Sequence, residues 1–417
     1  MEEFNRVTDE VYRFVADTKI FVDGDQKLGR MEDLMKYLGS PQERLKVLHV
    51  AGTSGKTSTA YYAASLLHTA GQKVGLTVSP HVVDVRERAQ VGLNVLGYDD
   101  YAVEMREFLE IVQRSKIKPS FFEFFVGFFF WLADKTKLDY AVVETGLGGL
   151  YDATNVVKRR DKVCLITDIG FDHIDILGRT LPEIAVQKAG IIHGGNEVLM
   201  HEQAGEVMDA MMGRAAEAGA LIQVVSDEEY KELPRFQSRN ASLAMAAVKF
   251  VLERDDKEAL THEQIQEALK IQVPARAEEF TYRGKKVLID GAHNPQKLGV
   301  FTEYVKERYS DKKIKLVFTL GENKVEGVDE DMRAAREISD DIVLTTFKDT
   351  SVETNYRESL SMALLGDAAK KAGFKKVEVV QDAIEALDEA VGSDSDIVVV
   401  TGSFYLLSYI RPKLIGG

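Results

Sequence analysis

A chain of 417 residues is too long for one comfortable hydrophobic core and points to two domains. An apolar fraction of 45% and a charged fraction of 29% are ordinary for a globular protein and exclude global disorder. The formal charge of −14 excludes a general binder of nucleic acid or anionic membranes, although a phosphate site needs only local donors.

Taken in chain order, the acidic, polar N-terminus has no signal-peptide pattern, and a cytoplasmic protein is the expectation. An apolar strand over 47–51 runs into a glycine-rich turn and a helix over 57–70. A strand over 74–78, a helix over 101–114 and a strand over 140–144 follow. The apolar stretch 121–133 carries Glu123 and is shorter than the roughly 20 residues a membrane span needs. A strand over 163–169 holds Cys164, the single cysteine, which reads as a buried strand residue and permits no internal disulfide.

A helix over 262–271 meets Pro274, which discourages its continuation. Beyond it the alternation restarts, with strands over 286–290, 314–319, 342–345, 377–380 and 397–401. Alternating strands and helices predict parallel sheets. The expected fold is α/β: an N-terminal P-loop-type ATPase domain, residues 1–275, and a smaller Rossmann-like C-terminal domain, residues 276–417.

The first chemical motif is Gly52-Thr53-Ser54-Gly55-Lys56-Thr57-Ser58, between a strand and a helix. Glycines let backbone N–H groups approach phosphate oxygens, and a helix N-terminus favours negative charge. Lys56 would reach the outer phosphates, while the Thr57 or Ser58 hydroxyl would support metal or phosphate. Only two residues separate Gly52 from Gly55, so the common phosphate-loop spacing of four is not met.

Other strand ends carry polar groups: Ser79-Pro80-His81, Glu144-Thr145-Gly146-Leu147-Gly148-Gly149, and Asp168 to His173. In a parallel sheet these ends share one edge, so Ser79, Glu144 and His173 are candidates to converge above the phosphate loop. Serine and glutamate oxygens with a histidine nitrogen and phosphate oxygens suit Mg²⁺ or Mn²⁺.

Gly52 to Lys56 resembles the shortened phosphate loop of the Mur ligase superfamily. Ser79-Pro80-His81 with Arg86-Glu87-Arg88, Glu144 to Gly149 with Asp152-Ala153-Thr154-Asn155, and Asp172-His173 with Leu177-Gly178 resemble folylpolyglutamate synthase/dihydrofolate synthase. Lys188-Ala189-Gly190-Ile191, Asp290 to Pro295 and Thr401-Gly402-Ser403 match the same family. These motifs run in order from about Leu28 to Tyr405 and cover essentially the whole chain.

The resemblance implies an ADP-forming ligase that adds L-glutamate to folate, with dihydropteroate as a second acceptor, through an acyl phosphate. It implies ATP, two Mg²⁺ ions, the option of a monovalent cation, and a monomer. Residues 52–58 with Asn240, Arg276 and Asp290 would bind ATP. Ser79, Glu144 and His173 would bind metal, joined by Lys188 where the family often carries a carbamylated lysine. Lys56, His173, Lys188 and Arg276 would be catalytic, with Gln237 beside Asn240 on the adenine side. Arg276 matches the hinge arginine.

On the substrate side stand Arg88, Phe121, Phe122 and Glu123 for the pterin, although 121–123 also read as a buried helix with one polar end. His293 and Ser403 would face the amino acid.

Departures from the family pattern concern the acceptor. Thr57 replaces a glycine, Leu150 an arginine, Phe236 a histidine and Ala275 a glycine, and Gly321 to Lys324 lacks the Asp-Lys-Asp order. They leave two alternatives open: a Mur-type ligase for another carboxylate, such as a cell-wall precursor, and a nucleotide-binding regulator without catalysis.

Overall fold

Apolar strand runs bounded by glycine-rich and polar turns build one main sheet in each of two units, Met1–Ile271 and Gln272–Gly417. The computed structural model describes residues 1–16, 18, 28–228, 230, 233–349 and 357–416.

The first unit holds β1 (Lys46–Ala51), β2 (Val74–Thr77), β3 (Gln90–Val91), β4 (Tyr140–Glu144), β5 (Val163–Ile166), β6 (Glu197–His201) and β7 (Leu221–Val225). They form one sheet in the order β3-β2-β4-β1-β5-β6-β7. Every pairing is parallel except the antiparallel β2–β3 edge. Strands β2, β4 and β5 are buried throughout. Their unbroken apolar runs are what burial on both faces requires.

The helix Lys56–Thr69 leaves β1 through the glycine-rich turn and packs on the helix Arg235–Arg254. Serine, threonine, alanine and leucine are buried on nearly all its sides, so it has little amphipathic signature. The helix Phe121–Lys135 opens with a reciprocal cap, the Ser120 hydroxyl taking the Glu123 N–H while Glu123 takes the Ser120 N–H. Its Phe124 and Phe128 meet Phe108 edge-on.

The strand expected over 163–169 ends at Ile166. The reason is local: the Asp168 carbonyl accepts from Thr53 and Ser54 instead of continuing a ladder. The helix expected over 262–271 ends at Ala268. The exposed edge strand β7 does not stand out in the sequence, because its residues lack the in–out alternation of a half-buried strand.

In the second unit, β8 (Glu278–Tyr282), β9 (Lys285–Ile289), β10 (Ile314–Phe318) and β11 (Asp341–Leu344) precede a separate short ladder of β12 (Lys348–Asp349) and β13 (Arg357–Glu358). β14 (Lys376–Val379) and β15 (Ile397–Thr401) complete the main sheet, in the order β14-β11-β10-β15-β9-β8. Only the β8–β9 hairpin is antiparallel in it. Leu288, Phe301, Val305, Leu316, Phe318 and Val399 lie in its core. The fold is the expected α/β pair.

Candidate active site

β1 lies between β4 and β5, so the turn that leaves it emerges at the carboxyl edge of the sheet, where α/β proteins place ligands. The turn is tight. Gly52 has φ +153° and Gly55 φ +90°. A Cβ at Gly52 would stand 1.8 Å from Thr167 Oγ1, and one at Gly55 2.2 Å from Asn240 Oδ1. Both positions therefore demand glycine.

The short spacing between these glycines is compensated by bracing from the far side. Thr53 and Ser54 donate their N–H groups to the Asp168 carbonyl at 2.8 and 3.1 Å, and Thr53 Oγ1 donates to the Gly170 carbonyl at 3.0 Å. Asp168 is itself gripped by Arg239, with Nη2 to Oδ1 at 2.9 Å. Ser54 Oγ is buried with no protein partner, an orphaned donor of the kind a phosphate oxygen satisfies. Lys56 folds back, Nζ to the Gly52 carbonyl at 3.1 Å.

Two of the strand-end groups, Ser79 and Glu144, meet Thr57 of the phosphate-loop helix. Thr57 Oγ1 donates to Glu144 Oε1 at 2.9 Å, and the Ser79 N–H donates to Glu144 Oε2 at 3.2 Å. Lys188 is buried, its Nζ 2.7 Å from the Gly52 carbonyl, so two lysines converge on one loop oxygen. His173 is exposed in a left-handed conformation, its ring 3.9 Å from Asp172. Among the described residues no three His, Cys, Asp or Glu side chains form a metal cage. The Thr57 hydroxyl and the Glu144 carboxylate, beside an anion-binding loop, are hard oxygen donors. They fit Mg²⁺, which keeps waters and shares ligands with substrate phosphates rather than filling an all-protein cage.

Of the residues assigned to the acceptor, Arg88 and Phe121 are buried. Arg88 Nε donates to His81 Nδ1 at 2.9 Å and its guanidinium lies 5.2 Å from the Phe121 ring. Phe122 packs on Gly146, in the loop that follows Glu144. Glu123 caps its own helix and pairs with Arg30 at 2.7 Å. Asn240 rests on Gly55 and donates to Gln237 Oε1 at 3.4 Å.

In the second unit Arg276 stands between two alanines in left-handed conformations, Ala275 at φ 55° and Ala277 at φ 45°. Buried carboxylates pin both. The Ala275 N–H donates to Glu278 Oε2 and the Ala277 N–H to Asp290 Oδ2, each at 2.8 Å. Burial pushes the Asp290 carboxyl above its ordinary range, against the opposing pull of Arg276. The Arg276 guanidinium lies 4.3 Å from the Phe404 ring centre.

His293 Nδ1 faces the Gly291 carbonyl at 2.7 Å, so Nδ1 carries the hydrogen and Nε2 faces Lys297 Nζ at 3.3 Å. Ser403 is buried and accepts from the Tyr405 N–H at 3.1 Å.

Residues 275–404 match the model of the Mur ligase, glutamate ligase domain. The dihydrofolate synthase/folylpolyglutamate synthase of Bacillus subtilis is 30% identical over 420 aligned residues, covering 93% of this chain and 94% of that one. The chain belongs to the dihydrofolate synthase/folylpolyglutamate synthase family. A folylpolyglutamate synthase of Lacticaseibacillus casei is 26% identical over 94% of this chain and 95% of its own.

Among solved structures, folylpolyglutamate synthase of Mycobacterium tuberculosis, in complex with ADP and AMPPCP, superposes with a TM-score of 0.83 at 25% identity. It covers 98% of each chain. Family membership makes this chain an ATP-dependent, ADP-forming ligase.

The residues that the sequence reading did not single out are the braces: Arg239 behind Asp168, and Glu278 behind Ala275. Arg239 lies inside the Gln237 to Asn240 motif, and that placement was its only signal. Glu278 has none.

Proposed function

We propose that this chain adds L-glutamate to a folate and also to dihydropteroate, using ATP and releasing ADP and phosphate. The observation that carries the reading is the meeting of Thr57, Ser79 and Glu144 beside the glycine turn, in a chain related over its length to the Bacillus subtilis enzyme.

The chemistry follows from charge. A carboxylate is a poor electrophile, and transfer of the γ-phosphoryl group to it forms an acyl phosphate. A neutral amine attacks the carbonyl carbon, and the tetrahedral intermediate collapses with loss of phosphate. Catalysis of this kind is mostly positioning and electrostatics.

The backbone of residues 52–58 and the Lys56 ammonium hold the outer phosphates, with Asn240 on the nucleotide side. Mg²⁺, when bound, neutralises charge on the transferring group. Thr57, Ser79 and Glu144 would hold it, with His173 and a carbamylated Lys188 as further ligands. In the second unit Arg276 and Asp290 serve the nucleotide, while His293 and Ser403 serve the incoming amino acid. Arg88, Phe121, Phe122 and Glu123 stand on the acceptor side. We take the two domains to part between residues 275 and 276.

Incubation with Mg-ATP, L-glutamate and either dihydropteroate or a reduced folate tests this by mass spectrometry. A gain of one glutamate matched by ADP and phosphate is expected with each acceptor. Formation of AMP and pyrophosphate would contradict the acyl phosphate. No gain with either acceptor would leave a ligase for a different carboxylate. Among the described residues no helix is long and apolar enough to cross a membrane. The same reading takes the enzyme to be a cytoplasmic monomer, which fractionation and light scattering check.

A further inference from the structure

His49 is a polar ring where the pattern calls for an apolar one. It lies inside β1, fully buried, in the run Val47-Leu48-His49-Val50-Ala51. Its Nε2 is 2.8 Å from Thr154 Oγ1 and 3.2 Å from Thr145 Oγ1, while Nδ1 is buried with no hydrogen-bond partner. Burial in an apolar sheet keeps the ring neutral, its pKa well below the ordinary histidine value.

The proton can be placed by elimination. Thr154 Oγ1 donates its one hydrogen to Asp152 Oδ1 at 2.5 Å. That hydroxyl then has only lone pairs to offer His49, so the ring hydrogen sits on Nε2 and Nδ1 holds the orphaned lone pair. Asp152 also takes the Thr154 N–H at 3.0 Å through Oδ1 and the Leu147 N–H at 2.8 Å through Oδ2. The relay therefore runs from β1 to both ends of the loop that starts after Glu144.

Thr145 is held twice by consecutive residues of β1: its N–H donates to the Val50 carbonyl at 2.9 Å, and its hydroxyl meets His49. In the ladder Val50 stands opposite Glu144. Two residues beyond Val50 the glycine turn begins.

We propose that His49 is a positioning residue for the Glu144 carboxylate. Its Nε2–H locks Thr145 and Thr154 to β1, and so holds the loop that leaves Glu144 in fixed relation to the strand carrying the phosphate turn. This rests on the reading of Glu144 as the carboxylate of a Mg²⁺–nucleotide site. A leucine in its place would fill the volume and leave the Thr145 and Thr154 hydroxyls without their shared donor. A glutamine would restore an N–H at similar reach.

The test compares His49→Leu and His49→Gln with the wild type. Manganese binding in the presence of ADP is read by electron paramagnetic resonance, ADP binding in chelator by calorimetry, and folding by thermal melting. Partners that orient a metal ligand typically set metal affinity by about 10–100-fold. His49→Leu should weaken Mn²⁺ binding within that range, leave metal-free ADP binding unchanged and raise the Mg²⁺ concentration for half-maximal rate, with the KM for glutamate unaffected. His49→Gln should recover most of the loss.

Wild-type Mn²⁺ affinity in a folded His49→Leu protein would overturn the proposal, and so would equal losses in the leucine and glutamine variants. If His49→Leu does not fold, Thr145→Val against Thr145→Ser asks the same question from the other end. A wild type that binds ADP without any dependence on Mn²⁺ would instead overturn the reading of Glu144, and the proposal with it.

Discussion

Thr57 Oγ1 donates to Glu144 Oε1 across 87 residues of sequence, at 2.9 Å. The contact joins the first turn of the helix after the phosphate loop to the last residue of β4. Thr57→Val keeps the branched shape and removes the donor. Loss of about 10–100-fold in kcat and in ion-dependent nucleotide binding is expected, with melting nearly unchanged. Thr57→Ser should retain most of both, which steady-state kinetics over a Mg²⁺ titration would check.

Lys188 is expected to be modified in the active enzyme. Its Nζ is buried on the Gly52 carbonyl, which Lys56 also meets, so two ammonium groups crowd one loop. Converting one to a carbamate removes that repulsion and adds oxygen ligands. Labelling with ¹³C-bicarbonate should give a carbamate signal that vanishes in Lys188→Gln. That variant should lose about 100-fold or more in kcat, the scale of removing one electrostatic stabiliser. A fully active Lys188→Gln protein would eliminate the role.

Arg411 should control Arg276 at a distance. Arg411 grips Glu278 with two bonds, at 2.8 and 2.9 Å, and Glu278 holds the left-handed Ala275 that precedes Arg276. Arg411→Met strands a carboxylate that is nearly fully buried; breaking such a pair costs about 3–5 kcal/mol. Urea unfolding should report that loss. The weakened turn should also raise the KM for ATP more than Arg411→Lys does, and equal KM values would separate stability from positioning.

Asp331 makes stability fall as pH rises. It is buried with Oδ1 lacking a partner, and burial pushes its carboxyl up to about 7, against the pull of Lys324. Between the ordinary carboxylate value of 3.8 and about 7, the folded state holds a proton that the unfolded state has released. Stability therefore drops through that window and stays low above it. Asp331→Asn should melt higher than wild type at pH 8 and nearly level with it at pH 4. A difference that does not change with pH would contradict the assignment.

How much was legible beforehand differs residue by residue. The glycine turn, the helix after it and the carboxyl ends of β2 and β4 could be read directly, because a strand, a turn and a helix are contiguous and each is set by local geometry. Family likeness then attached roles to Lys56, Glu144, His173 and Lys188. The capping box at Ser120 and Glu123 lies in plain sequence as well. It commits Glu123 to a helix end and to Arg30, contacts that the pterin assignment did not include. His173 shows the opposite limit: it was placed at the same sheet edge as Glu144 by topology alone, and among the described residues no three His, Cys, Asp or Glu side chains form a preformed cage.

The sequence by itself determined the α/β class, the phosphate turn and the identity of the polar strand ends. Only the tertiary structure decided their partners: Thr57 on Glu144, Arg239 behind Asp168, and the His49 ring on Thr145 and Thr154. The reason is physical. Hydrogen bonds in the turns and helix caps follow from neighbours along the chain. These other bonds exist only once β1 has been laid between β4 and β5 and the helix Arg235–Arg254 has packed on the helix Lys56–Thr69, and that order depends on packing between segments far apart in sequence.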